Sequence, residues 1–264
     1  MTIRPRLDLI LAALLCGLAA FVINSSVRGS DARARRHESA ALARDTTVVF
    51  AGQLQGTVKR ELVPSRKAQG TPPDDMRRQV RNLAFGTYVD DILAQQDSAL
   101  YRWPERLTEA VRVYVEPSSA IAGFDVHYPQ MARDVFGEWS EAGFPLRFTF
   151  IADSTTADLT IRWRERFPAE DGQRIGVTER TQTGAFLIAK VGVWVANHDS
   201  TGRALSPTIV DGILRHEIGH ALGLNHANDP TSVMYRESAT QDIGPSDRAT
   251  LRLLYRVPPG SLKD

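Results

Sequence analysis

The stretch HEIGHALGLNH, residues 216–226, constrains the fold more than any other part of the chain, because it asks one helix to stop at one glycine. Just upstream, Ser206 stands in an N-cap position and Pro207 at a first helical position, so a helix is expected from there to about Leu222. On that helix Val210, Leu214, Ile218, Ala221 and Leu222 share a stripe, while His216 and His220 fall within about 40° of each other on the opposite side. Both histidines are thus expected off the packing face. One turn, roughly 6 Å of axis, separates them, so their rings can reach one ion at about 2.1 Å. Were the helix to continue, His226 would lie roughly 9 Å beyond His220 and rotated away. Gly223 removes that obstacle, since glycine accepts the left-handed conformation that ends helices and lets the chain return His226 to the same point.

Three convergent imidazoles make a tripod for a divalent ion. Glu217, about 100° round the helix from His216, is placed to touch a metal-bound water rather than the metal. The expected chemistry is hydrolytic. Zinc lowers the pKa of bound water to about 7, Glu217 takes the proton, the resulting nucleophile attacks a carbonyl carbon, and Glu217 returns the proton to the leaving amine. His37, His127 and His198 have no partners at ligand spacing and read as surface residues. The single cysteine, Cys16, lies in an apolar run, which excludes an internal disulfide and a thiolate metal site elsewhere. Lys and Arg number 32 against 31 Asp and Glu, a balance that gives no electrostatic reason to expect nucleic acid as a partner.

The chain begins with Arg4 and Arg6 ahead of an uncharged apolar run from Leu9 to Ile23, the layout of an export signal. No small-x-small site follows closely, which favours an N-terminal signal-anchor over a cleaved signal peptide for residues 1–27 and places the folded part outside the cytoplasm, held at a membrane. Residues 28–100 are expected to form a polar stalk or spacer, partly disordered, with KAQGTPPDD as linker and a helix or two after residue 76. The pairs Asp74, Asp75 and Asp90, Asp91 read as solvated turn and helix charges. Beyond Trp103 the pattern is that of a compact unit: strands at 112–116, 146–151 and 158–163, a helix at 129–142, and a strand at 185–196 whose odd positions are apolar. Residues 167–184 are rich in Gly, Asp, Gln and Thr and read as loop.

The motif resembles the elongated zinc-binding signature of the metzincin metallopeptidases, and SVMY at 232–235 looks like their Met-turn; the spacing from His226 to Met234 and the Tyr that follows most resemble the matrixin branch. The resemblance implies an α+β fold, a twisted mixed β-sheet with an active-site helix and a C-terminal helix, with the catalytic domain over residues 101–260. It implies His216, His220 and His226 as zinc ligands, Glu217 as general base and Met234 as the hydrophobic floor beneath the ion. SDRATLRLLYRV resembles the closing helix, with Ser246 as cap and Pro258 as stop. One catalytic zinc is expected, because no second HxD-type site precedes the active-site helix. Cys16 cannot serve as the prodomain cysteine of such enzymes, and Tyr235 receives no catalytic role. Structural Ca2+ is common in matrixins and stays unassigned: Glu170 and Asp171 ahead of Gly172 are candidates, but no calcium-loop pattern is present. Substrate polypeptides of this clan lie extended along an edge strand, for which 185–196 is the candidate.

The function expected is a zinc-dependent endopeptidase. The alternative is a catalytically silent, zinc-stabilised binding module on a membrane anchor, against which the retained Glu217 argues, and zinc-dependent hydrolysis of a non-peptide amide is a third reading that spacing alone leaves open.

Overall fold

The computed structural model describes residues 71–105, 109–237 and 242–263. The N-terminal apolar run, Cys16 and His37 lie outside them.

The apolar stripes expected downstream of Trp103 do build a sheet. Strand β2 (Val111–Val115) pairs in parallel with β3 (Phe148–Phe150) on one side and β4 (Leu159–Arg164) on the other, and β4 pairs in parallel with β6 (Ile188–Ala196). Beyond β6 runs β5 (Gly176–Gln182), antiparallel, so the order is β3-β2-β4-β6-β5. The architecture is α+β, with a mixed five-stranded sheet as the resemblance implied. Helix α3 (Tyr128–Ser140) buries Ala132, Val135, Phe136 and Trp139 at the 3.6-residue repeat, and the active-site helix α4 (Pro207–Ala221) packs beside it and against β5 and β6. The closing helix α5 (Pro245–Arg256) adds Leu251, Leu253 and Leu254 to the same core.

Two expectations about the sheet are corrected. Residues 167–184 are not all loop, because Gly176–Gln182 forms β5. Its inward residues Thr178, Arg180 and Gln182 are polar yet buried, and a strand whose inner face is polar carries no apolar alternation to find. The strand within 185–196 is interior rather than an edge, since β4 and β5 flank it; among the described residues the edges are β3 and β5. Its expected odd-face alternation holds at Val191, Val193 and Val195, but Thr181 opposes Lys190 while Gln182 opposes Ile188, an irregularity that leaves Ala189 exposed and Ile188 buried.

The spacer expected through residue 100 is also corrected. Helix α1 (Pro73–Leu83) buries Met76 and Val80, helix α2 (Val89–Gln95) buries Val89 and Ile92, and β1 (Ala99–Leu100) pairs antiparallel with β7 (Gly260–Ser261). Each helix carries only two fully buried apolar positions among charges, too few to mark a packing face by composition. The charged pairs behave partly as expected: Asp74 and Asp75 meet Arg77 and Arg78 at the surface, at 3.0 and 2.6 Å. The core contact of α1 is testable. Met76 is 1% exposed and belongs to the main core, so Met76→Ala is expected to cost about 2–4 kcal/mol in a urea titration, where a spacer residue would cost nothing measurable.

Candidate metal centre

The sequence of α4 makes both its start and its stop. Ser206 accepts from the Ile209 N–H at its N-terminus, with Pro207 at the first helical position. At the other end Gly223 N donates to His220 O at 3.0 Å and Leu224 N to Gly219 O at 3.1 Å, the paired bonds of a Schellman stop, with Gly223 at φ +111°. The last carbonyls receive side-chain donors: Trp103 Nε1 to Ala221 O at 2.9 Å, Tyr255 OH to Leu222 O at 2.9 Å, and Arg180 Nη1 to His220 O at 3.4 Å.

The chain then returns as the glycine allows. The rings of His216, His220 and His226 stand with centroids 4.7, 4.7 and 5.3 Å apart, and one ligand nitrogen from each lies within 4.8 Å of the others. All three are buried, which corrects the expectation that His216 and His220 face away from the packing side. Helix α4 is exposed at Pro207 and Thr208 and half-buried at Asp211 and Arg215, but its histidine face is closed by the returning segment and the Met-turn.

Each helix-borne histidine is held in one tautomer. The Nδ1–H of His216 donates to Val233 O at 2.7 Å and that of His220 to Leu224 O at 2.9 Å, so the lone pair resides on Nε2 in both. Burial depresses the pKa of both rings, to about 4 for His216 and well below the usual value for His220, where the neighbouring His216 and His226 add to the effect. Neutral imidazoles with fixed tautomers are what a metal ligand requires.

Glu217 lies on the β5 side of the helix, fully buried. Its Oε2 accepts from Thr178 Oγ1 at 2.5 Å, and the same hydroxyl lies 3.0 Å from the Glu217 carbonyl. Burial raises the carboxyl pKa to about 8, with the Thr178 hydrogen bond pulling the other way. Oε1 nestles against Gly176, where an added Cβ would stand 2.5 Å from it. Glycine at 176 is therefore a condition of this rotamer. Neither Thr178 nor Gly176 was singled out from the sequence, because both sit in the segment read as loop.

The Met-turn is a supported structure. Met234 is fully buried with its sulfur against Gly219, and Ala227 N donates to Met234 O at 2.9 Å. Asp247 of α5 gathers the turn: Ser232 Oγ donates to it, as do Val233 N at 3.2 Å and Gly244 N at 2.8 Å. Through Val233, whose carbonyl orients His216, this carboxylate acts on the centre. Asp247 is also the true cap partner of α5, with Gly244 as N-cap and Pro245 following it, in place of Ser246. An Asp three residues beyond a Gly-Pro start was the available signal.

Other sequence candidates stay apart. His127 pairs with Asp125 at 2.7 Å and His198 with Asn197 at 2.9 Å, while Asp171, in a short turn with Glu170, pairs with Arg174 at 3.7 Å. Among the described residues, His216, His220 and His226 are the one group with metal-ligand convergence.

A family model for matrixin matches residues 125–256, half of the chain. The chain belongs to the matrixin family. Three curated relatives agree over shorter stretches. The Probable matrix metalloproteinase 095L of Invertebrate iridescent virus 3 is 47% identical over 51 residues, 19% of this chain and 14% of its own. The Metalloendoproteinase 1-MMP of Arabidopsis thaliana is 29% identical over 112 residues, 39% and 30%. The Matrilysin of Felis catus is 39% identical over 59 residues, 20% and 22%. This matrixin chain thus spans less than a third of the length of these relatives. Helices α1 and α2 precede the matched residues.

The matrixin family implies zinc, and the residues present fit it. A buried imidazole nitrogen without a hydrogen-bond partner, as His216 Nε2 and His220 Nε2 are, costs about 1–3 kcal/mol unless a ligand uses its lone pair. Three imidazole nitrogens are a donor set that zinc takes.

Proposed function

We propose that this chain is a zinc-dependent endopeptidase that cleaves polypeptides in extended form. The observation that carries the reading is the convergence of three buried, neutral imidazoles beside a buried carboxyl that no metal-ligand role explains. His216, His220 and His226 would hold the ion. When bound, zinc supplies Lewis-acid chemistry, polarising a carbonyl and making water more acidic.

The protein's own groups supply the rest. Thr178 fixes Oε2 of Glu217, leaving Oε1 as the oxygen that takes a proton from water and later returns it to the departing amine. Burial raises the pKa of this carboxyl, and a cation held by the three histidines would lower it again, leaving a carboxylate able to accept a proton. With β6 interior, the strand offered to an extended substrate is β5, the sheet edge that carries Thr178 and Gly176 alongside Glu217. An extracytoplasmic, membrane-anchored location is proposed from the apolar run at 9–23; no helix of the described residues is long and apolar enough to cross a membrane.

The test is digestion of casein by the purified full-length chain. Cleavage abolished by a chelator and restored by added zinc is expected, with one zinc per chain by elemental analysis. A chain that holds zinc but cleaves neither casein nor a peptide library would instead be the silent binding module.

A further inference from the structure

Two of the three histidines ride on a helix; the third rides on irregular chain. His226 follows the Schellman stop, in a segment with no ladder of its own beyond the Ala227–Met234 bond. Much of what holds this segment comes from α2, ahead of the family-matched part of the chain.

Three adjacent contacts make the connection. Gln95 donates from Nε2 to the His226 carbonyl at 2.7 Å. Asp91, one turn earlier on the same face of α2, accepts from Asn228 N at 2.9 Å and from Asn228 Nδ2 at 2.6 Å. At the end of the helix the Gln96 amide lies 2.7 Å from Asn225 Oδ1, and that oxygen also accepts from Arg180 Nη2 at 2.6 Å. Gln96, Asn225 and Arg180 are all buried, so an edge strand, the third-ligand segment and α2 meet in one buried polar cluster. Helix α2 is itself fixed, by Val89 and Ile92 in the core and by Tyr88 N donating to Thr250 Oγ1 of α5 at 3.1 Å.

We propose that α2 is a clamp for the metal centre, with Asp91, Gln95 and Gln96 as positioning residues that hold His226 in place and so set the affinity for zinc. The proposal rests on the reading of the three histidines as a zinc site. The physical reason is entropic as well as geometric: a ligand on free backbone must be ordered when the ion binds, whereas a ligand already tied at Asn225, His226 and Asn228 is ordered beforehand. It also gives Asp91 a role, where the sequence offered only a solvated charge.

The experiment uses the full-length chain with Asp91→Ala and Gln95→Ala combined, both in a helix that tolerates alanine, and Asp90→Ala as a control on the exposed neighbour. Zinc affinity is measured by competition with a chromophoric chelator, and thermal unfolding is followed on the metal-free protein. The double variant is expected to bind zinc about 10–100-fold more weakly, the usual effect of losing groups that orient a ligand, with the control unchanged. Its metal-free unfolding midpoint should stay within about 3 °C of wild type, whereas a merely structural role would lower the midpoint and spare the affinity. Affinity within about twofold of wild type overturns the clamp. If the double variant does not fold without metal, Gln95→Ala alone decides by the same affinity criterion. A wild-type chain that takes up no zinc overturns the zinc reading, and the clamp with it; a wild type that binds while the variants bind equally well overturns the clamp alone.

Discussion

Glu217→Gln is expected to lower kcat/KM on an extended polypeptide by roughly 10³-fold, the scale of a lost general acid and base, while the zinc content stays at that of wild type. The substitution keeps the shape of the side chain. A glutamine oxygen can still accept from Thr178 Oγ1, and the space against Gly176 suits an amide as well as a carboxyl. What the amide lacks is a proton-accepting oxygen of suitable pKa. Stability is not expected to fall, because burial, the main cause of the raised Glu217 pKa, penalises an ionised carboxylate and not a neutral amide. Loss of turnover with a folded, zinc-loaded protein would therefore isolate the chemistry. If the variant retained more than about a tenth of wild-type kcat/KM, Glu217 would not be the base, and another group would have to be sought.

Gly223→Ala should be among the most destabilising single-methyl changes in this chain. At φ +111° the backbone lies where a side-chain-bearing residue is strained, and the added Cβ would stand 2.8 Å from the Tyr101 carbonyl oxygen and 2.9 Å from Leu254 Cδ2. The first of these is backbone and cannot rotate away. Strain of about 1–3 kcal/mol and overpacking of about 1–3 kcal/mol together predict a loss of roughly 2–6 kcal/mol, a large share of the stability of an ordinary domain. The same change moves the point where the chain turns back toward the histidines. Denaturant unfolding should show the loss of stability, and zinc titration of whatever folded fraction remains should show weakened binding. An alanine variant of wild-type midpoint and affinity would mean that the turn does not depend on this glycine.

How much of this was legible beforehand depended on what kind of signal each element carries. The active-site helix, its Ser206 cap, its stop and the return of His226 could be read directly, because helical period and glycine conformation are local properties. Strands β2, β4 and the alternating half of β6 were likewise legible, since an apolar face alternates wherever it is buried, and β3 showed the same alternation although Phe148 is half-buried and Phe150 exposed. Strand β5 was not. Its inward side chains Thr178, Arg180 and Gln182 are buried, with Thr178 on the Glu217 carboxyl and Arg180 on the end of α4 and the Asn225 amide, so its pattern is polar on the buried side. Strand order was hidden for the same reason, and the interior strand was taken for the edge.

The sequence by itself determined the convergence of His216, His220 and His226, the carboxyl beside them and the need for a glycine at the turn, because each follows from backbone geometry over fewer than a dozen residues. Only the tertiary structure decided that the histidine face is buried, that Thr178 and Gly176 shape the setting of Glu217, that Asp247 carries the Met-turn, and that residues 73–100 join the fold. These are contacts between segments far apart in sequence. Their energy comes from desolvation and from hydrogen bonds closed across the core, and no local period records which distant group will close them.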